Sequence, residues 1–378
     1  MSEHPVSRDT NPATPRRRPP FRPALDTISA YQAGMSLAEA SRRYGRHDFV
    51  KLASNENLFG PSPKVYEAIA AADPLELYPD PYSERLREAI GGRLGLDPRR
   101  VIMGAGSETL IDLLMRALLE PGDRAQVSQP TFPLYAITAG SIGAALVNVP
   151  RLPNFDLDVE ATVAALQSDP PRLLILCTPN NPTGNAIPQG DIERILRATP
   201  HETVVLFDEA YFEFNDGVDA LSLLEAWGGH WLLTRTFSKA YGLAGARVGY
   251  GIASDAELVG YLDRLRPAFN VTTLSQAAAV AAWGDQAHLK RTLEVTIAER
   301  ERVEQALSDL QVRHTTSKAN FVFVECRHDV AETAERLLAR GLIVRPIPIG
   351  DYGWLRITVG RPEDNDRLLA ELPAAIAP

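Results

Sequence analysis

Two cysteines in 378 residues are too few for a disulfide framework. Cys177 and Cys326 both sit in apolar, strand-like runs and read as buried thiols, with a reducing cytoplasm as the expected compartment. Long hydrophobic runs are also missing. Nothing approaches the roughly 20 apolar residues needed to span a bilayer, and the arginines near the N-terminus lead into no apolar stretch of the kind a secretory signal has. Positive charge is not in excess. A net charge of -9 argues against nucleic acid as the main partner, because a phosphate-backbone binder needs a positive field. The remaining composition, 45% hydrophobic and 23% charged, is that of a globular chain with room for two domains, or one large domain and a smaller companion.

Residues 1–24 carry Pro, Arg, Ser and Thr and almost nothing apolar, so they are expected to be disordered. Within them, Arg16, Arg17 and Arg18 form either a docking patch or part of a solvated tail. A helical pattern runs from Ile28 to Tyr44, followed by turn chemistry through Ser54–Asn57 (SNEN) and helices near 63–72 and 86–95. Beyond that, short apolar runs alternate with amphipathic stretches. Strands are predicted at 101–103, 124–128, 145–149, 173–177, 204–207, 231–234 and 248–252. Apolar runs without alternation, separated by helices, imply a largely parallel sheet covered on both faces. A helix-rich stretch from 256 to about 310 leads to a last segment of strands 321–325, 342–344 and 354–358 with helices 330–340 and 362–371, a small α+β unit.

Four segments carry unusual residues at strand ends or helix starts. In open parallel sheets ligands bind beyond the carboxyl ends of the strands. Gly104, Gly106 and Ser107 turn a strand into a helix with Glu108 in its first turn, a place where backbone N–H groups and a helix N-terminus can meet a phosphate. Asn180 and Asn181 follow a buried strand, and the Asn181 amide offers donor N–H groups at a fixed place on the sheet edge. Asp208 ends another strand, where a desolvated carboxylate needs a partner such as a pyridinium N–H, and Tyr211 lies three residues on. Lys239 stands among small and hydroxyl residues, Thr236 and Ser238 before it and Arg247 after. That setting suits an amine that loses its proton and attacks an aldehyde. Taken singly, each has a plainer alternative: an N-cap at Ser107, an Asx-Pro turn at Asn181, an N-cap or structural ion pair at Asp208, a solvated loop lysine at Lys239.

Together and in this order, these segments resemble the fold-type-I pyridoxal 5′-phosphate aminotransferases, and within them the histidinol-phosphate group. The resemblance rests on SNEN, YPDP (Tyr78–Pro81), NNPTG (Asn180–Gly184), DEAY (Asp208–Tyr211), FSKAYGLAGARVGY (Phe237–Tyr250) and WLRITVG (Trp354–Gly360). It implies an α/β fold like that of aspartate aminotransferase: an N-terminal arm at 25–54, a large cofactor-binding domain at 55–268 and a small domain at 269–378. It makes Lys239 the cofactor-carrying lysine, Asp208 the partner of the ring nitrogen, and Asn181 and Tyr211 the holders of the 3′-oxygen. Gly106, Ser107, Glu108, Thr236, Ser238 and Arg247 surround the phosphate, and Phe132 lies over the ring unless it is simply a core aromatic. Tyr78 reaches the cofactor of a second subunit, which implies a homodimer with shared sites. Tyr31, Asn57, Arg345 and Arg356 meet the substrate, the arginines gripping its anionic group.

The implied reaction is transamination of L-histidinol phosphate with 2-oxoglutarate, a step of histidine biosynthesis. The alternatives are an aromatic amino-acid aminotransferase and a decarboxylase of a phosphorylated amino acid. Three departures from the family pattern bear on this. Glu108-Thr109 stands where Asp-Glu is usual, Leu58 replaces the usual proline after SNEN, and the connection between Arg345 and Arg356 is short, which touches the substrate side.

Overall fold

The computed structural model describes residues 21–30, 32, 34–215 and 218–376. Of the expected tail, residues 1–20 lie outside the described residues, and so does Tyr31; Pro23–Thr27 is a short 3-10 helix. Twelve strands are described: β1 (Val50–Lys51), β2 (Val101–Gly104), β3 (Arg124–Val127), β4 (Ala145–Asn148), β5 (Leu173–Cys177), β6 (Val204–Asp208), β7 (Trp231–Thr236), β8 (Gly249–Ala253), β9 (Phe321–Glu325), β10 (Leu342–Ile343), β11 (Arg345–Ile347) and β12 (Trp354–Thr358).

β2 to β8 form one sheet in the order β2-β8-β7-β6-β5-β3-β4. Its strands run parallel except β8, which is antiparallel to both neighbours. All seven predicted strands are present. Their lack of alternation has a simple cause: side chains point to opposite faces in turn, and each face meets its own core. Leu174, Leu176, Val205, Phe207, Trp231 and Leu233 enter one core. Leu173, Ile175, Cys177, Val204, Leu206 and Leu232 enter the other.

The aspartate-aminotransferase-like fold is completed by a smaller layer. β9, β12 and β11 form an antiparallel sheet, and β1 pairs with β10 in parallel, drawing the N-terminal segment onto the C-terminal part of the chain. Leu52, Val322, Val324, Leu355, Ile357 and Leu368 are among the residues of a separate core there. The helix Gln286–Asp309 joins the two parts: Leu289 packs in the large core, Val303 and Leu307 in the small one.

Two expectations are corrected. The helix near the N-terminus spans Leu37–Tyr44 rather than starting at Ile28, because Ser36 caps it by accepting from the Glu39 N–H, which fixes the first turn there. The run after Gly341 is two strands: β10 pairs with β1 and β11 with β12, so Arg345 is a strand residue. Both cysteines are buried and free. Among the described residues no helix is long and apolar enough to cross a membrane.

Candidate active site

The parallel strands β5, β6 and β7 end at one edge of the large sheet, and β8 starts there because it runs the other way. The chain between Thr236 and Gly249, which holds Lys239, therefore stays at that edge. A cavity of about 270 Å³ opens beside it, lined in part by Ser107, Glu108, Phe132, Asn181, Asp208, Tyr211, Thr236, Ser238, Lys239, Arg247, Arg345 and Arg356.

Asp208 is the last residue of β6 and is buried. Its Oδ2 accepts from the Tyr135 hydroxyl at 2.6 Å, and its Oδ1 from the Ala210 N–H at 3.2 Å and the Thr234 hydroxyl at 3.3 Å. None of these donors is cationic. Burial pushes the Asp208 carboxyl above the usual range, and the three donors only partly offset it. A buried acid served by neutral donors asks for a positive partner from the cavity.

Lys239 is the complement. Its Nζ donates to the Ser54 carbonyl at 3.3 Å. Burial, and then the charge of Arg356, lower the ammonium to about 7, with Glu56 pulling the other way. A large fraction is therefore neutral near pH 7, which an attacking amine requires. Tyr211 accepts from Asn55 Nδ2 at 2.8 Å, and burial pushes its phenol up to about 12, so it remains a protonated donor.

A third corner fits an anion. The helix Ser107–Leu118 starts at Gly106 with no side-chain cap, so the N–H groups of its first turn point outward unspent. Ser107 is thus the first helical residue and not the cap. Gly106 has φ +88°, and a Cβ there would come within 2.7 Å of Arg247 Nη2. A Cβ on Gly249 would lie 2.5 Å from the Ser107 nitrogen, so glycine lets the start of β8 touch the helix start. Thr236 donates to the Ser238 hydroxyl at 3.0 Å and accepts from the Ser238 N–H at 3.1 Å, and Arg247 reaches the Ala105 carbonyl at 3.1 Å.

On the opposite wall, β11 and β12 place Arg345 and Arg356 directly across from each other. Like charges in that register repel unless an anion sits between them. Arg356 donates to Asn181 Oδ1 at 2.6 Å and to the Ala53 carbonyl at 2.7 Å; Arg345 donates to the Gln32 carbonyl at 2.8 Å.

Buried acid, neutral lysine and anion cradle are what pyridoxal 5′-phosphate requires: a partner for its ring nitrogen, an amine for its aldehyde and a seat for its phosphate. The residues present fit that group.

Three sequence-predicted residues stand elsewhere. Asn57 does not line the cavity: its amide is spent on the Ala240 carbonyl (2.9 Å) and the Phe59 N–H (3.0 Å), bracing the lysine loop from behind. Tyr78 is 82% exposed and stacks on Phe269 with ring centroids 4.5 Å apart, outside the cavity lining. Gly106 is also outside the cavity lining, and its N–H donates to the Gly104 carbonyl at 2.7 Å, so it shapes the turn rather than offering a donor. The sequence alone does not single out two further residues of the site. Asn55, with φ +54°, joins Tyr211 to Thr358; an asparagine inside turn chemistry was the available signal. Tyr135 holds Asp208, and its signal is that it is the one aromatic side chain in the helix Leu134–Ile142.

Several comparisons bear on this arrangement. The family model for aminotransferase class I and II matches residues 47–372. A protein named histidinol-phosphate aminotransferase 2 from Caulobacter vibrioides is 57% identical over 371 residues, covering 98% of this chain and 97% of the relative. Histidinol-phosphate aminotransferase 1 from Mesorhizobium japonicum is 38% identical, covering 91% and 95%. The crystal structure of histidinol-phosphate aminotransferase from Sinorhizobium meliloti, in complex with pyridoxal 5′-phosphate, superposes with a TM-score of 0.86 at 30% identity and covers 94% of this chain and 97% of that one. An aspartate aminotransferase of Thermus thermophilus shares the fold, with a TM-score of 0.80 at 24% identity. With the family model spanning most of its length, the chain belongs to the class I and II aminotransferases.

Proposed function

We propose that this chain is a pyridoxal 5′-phosphate-dependent aminotransferase that moves the amino group of L-histidinol phosphate to 2-oxoglutarate. The observation that carries the substrate reading is the Arg345–Arg356 pair, two guanidinium groups in cross-strand register on a cavity that also holds Lys239 and Asp208. The 57% identity to a protein named for that activity supports it. A phosphate with two charges is a better match to two planar cations than a single carboxylate is.

The bound cofactor supplies an aldehyde for the amine and an electron-accepting ring. The protein does the rest. Lys239 Nζ would hold the cofactor by its aldehyde, and as a neutral amine it would take the proton from the substrate α-carbon. Asp208 holds a proton on the ring nitrogen, and Tyr135 holds Asp208 in place. Tyr211 and Asn181 donate to the ring hydroxyl oxygen, with Asn55 fixing the Tyr211 phenol. Phe132 covers the ring. The first-turn N–H groups of Ser107 and Glu108, with Thr236, Ser238 and Arg247, hold the phosphate, while the Gly106 N–H is already spent on the Gly104 carbonyl at 2.7 Å.

The working unit is a homodimer. Tyr66, Leu75, Leu77, Tyr78, Tyr261 and Leu265 are exposed. The segments that carry Tyr78 and Phe269 meet, and Arg266 bonds the Pro81 carbonyl at 2.7 Å. Apolar side chains gathered on adjoining exposed segments favour a second copy as their cover. Tyr78 then serves the neighbouring site.

One observation favours a second substrate class. Past Arg345 and Arg356 lies an apolar recess whose lining includes Ile28, Pro133, Ile137, Ile347 and Ile349, which accepts an aromatic ring as well. Purified enzyme assayed with histidinol phosphate and phenylalanine side by side separates the two. Histidinol phosphate is expected to lead in kcat/KM by roughly two orders of magnitude. A lead for phenylalanine would reassign the substrate and leave the reaction class standing.

A further inference from the structure

Behind the cavity lies a charge pair that the chemistry above does not use. Glu209 follows Asp208, and Arg235 precedes Thr236. Successive side chains on a strand face opposite ways. Asp208, Thr234 and Thr236 turn to the cavity side, so Glu209 and Arg235 turn to the other, where Arg235 lies in register with Tyr250. Arg235 Nε donates to Glu209 Oε2 at 2.8 Å, and Nη2 lies at the same distance. Both side chains are 3% exposed. The Phe212 ring covers the guanidinium, its centroid 3.4 Å from Cζ.

We propose that Glu209 and Arg235 are positioning residues that set the spacing between Asp208 and the Thr236–Lys239 loop, and so the fit of the cofactor between them. The β6–β7 register ends at Asp208 and Thr234. Beyond it, one backbone bond, from the Glu209 N–H to the Thr234 carbonyl at 2.9 Å, is joined by this ion pair. The cofactor must touch Asp208 at one end and the Thr236 and Ser238 hydroxyls at the other, so a small splay between the strand ends breaks one contact or the other. The pair works through geometry: its two charges cancel, and what shifts Asp208 is burial and its three hydrogen-bond donors. Stability alone does not call for such a pair, because buried ion pairs replaced by apolar residues of like volume often leave a protein as stable as before.

That last point supplies the test, which rests on the pyridoxal phosphate reading; a parent chain unable to bind pyridoxal phosphate would sink that reading before any variant is compared. The full chain carrying Glu209→Leu with Arg235→Met is compared with the parent in three measurements: thermal midpoint without cofactor, dissociation constant for pyridoxal phosphate, and circular dichroism of the bound cofactor in the visible range. The expected result is a thermal midpoint at or above the parent's, a dissociation constant raised at least tenfold and a weakened visible signal. Affinity and signal within twofold of the parent overturn the proposal. Should the double variant not fold, Arg235→Lys decides. It keeps the charge and gives up the planar fork over Phe212, so a tenfold loss of cofactor affinity supports the proposal and parental affinity refutes it.

Discussion

The two walls of the cavity are built differently. The wall at the large-sheet edge comes from the ends of buried strands: Asp208 closes β6 and is held by Tyr135 and Thr234, and Thr236 closes β7 and is bonded to Ser238 in the loop that follows. The facing wall comes from the three-residue strand β11 and the five-residue β12, and its arginines are only half-buried. It meets the first wall through few bonds, chiefly Arg356 to Asn181, Asn55 to Tyr211 and Lys239 to the Ser54 carbonyl. The contrast teaches a division of labour. Groups that must have perturbed proton affinities sit where water is excluded, because desolvation does the perturbing. Groups that must recognise a charged substrate sit where it can enter and where a guanidinium keeps its charge in any setting.

If that division is right, damage to the first wall removes turnover and damage to the second removes substrate. The largest effect belongs to Lys239→Ala, expected to lower kcat roughly 10⁴-fold or more and to abolish the visible absorbance of lysine-bound cofactor; a variant that keeps both would break the comparison outright. Asp208→Asn comes next, with kcat down roughly 10²–10³-fold and KM little changed, since the charge facing the ring nitrogen is lost. On the other wall, Arg356→Gln should lower kcat/KM for a phosphorylated donor roughly 10²-fold, mostly through KM, as expected for one charged partner removed from a hydrogen-bonded charge pair. Equal loss in kcat would erase the distinction between the walls. Tyr135→Phe sharpens it from behind, with a loss of about tenfold in kcat, the worth of one hydrogen bond to a charged group.

The lysine also makes a pH prediction. In the cofactor-free chain its folded value is about 7 and its ordinary value 10.5. Only the neutral amine captures pyridoxal phosphate, so the capture rate should climb about tenfold per unit below pH 7 and level off above it. In stability the sign is the same. Between those two values the unfolded state holds the extra proton, so the cofactor-free protein gains stability as pH rises across that window and is flat below it. Lys239→Met removes this slope; denaturant melts at pH 7 and pH 9 measure it.

Much of this was legible in the order of residues. Six buried strands and the more exposed edge strand β4 announced themselves as short apolar runs, because a sheet with a core on each face has little polar side to alternate with. Lys239, Asp208 and Asn181 stood out as polar residues at the ends of those runs. Asn57 and Asn55 were harder to tell apart. They lie two residues apart in one turn, and only the path of the backbone, with Asn55 at φ +54°, decides which amide meets Tyr211 and which braces the Ala240 carbonyl. Helical periodicity extends back to Ile28 and does not mark where the helix begins; the Ser36 cap does, at Leu37.

What the sequence determined by itself is the set of elements and the chemistry-bearing positions at their ends, since hydrophobic patterning and local turn chemistry act over a few residues. Tertiary structure alone decided which ends meet. The antiparallel course of β8 returns Arg247 and Gly249 to the helix start at Gly106, and the pairing of β1 with β10 swings Ser54–Glu56 against Lys239. It also decided the proton affinities, because the depressed ammonium of Lys239 and the raised carboxyl of Asp208 come from the water that other parts of the chain exclude.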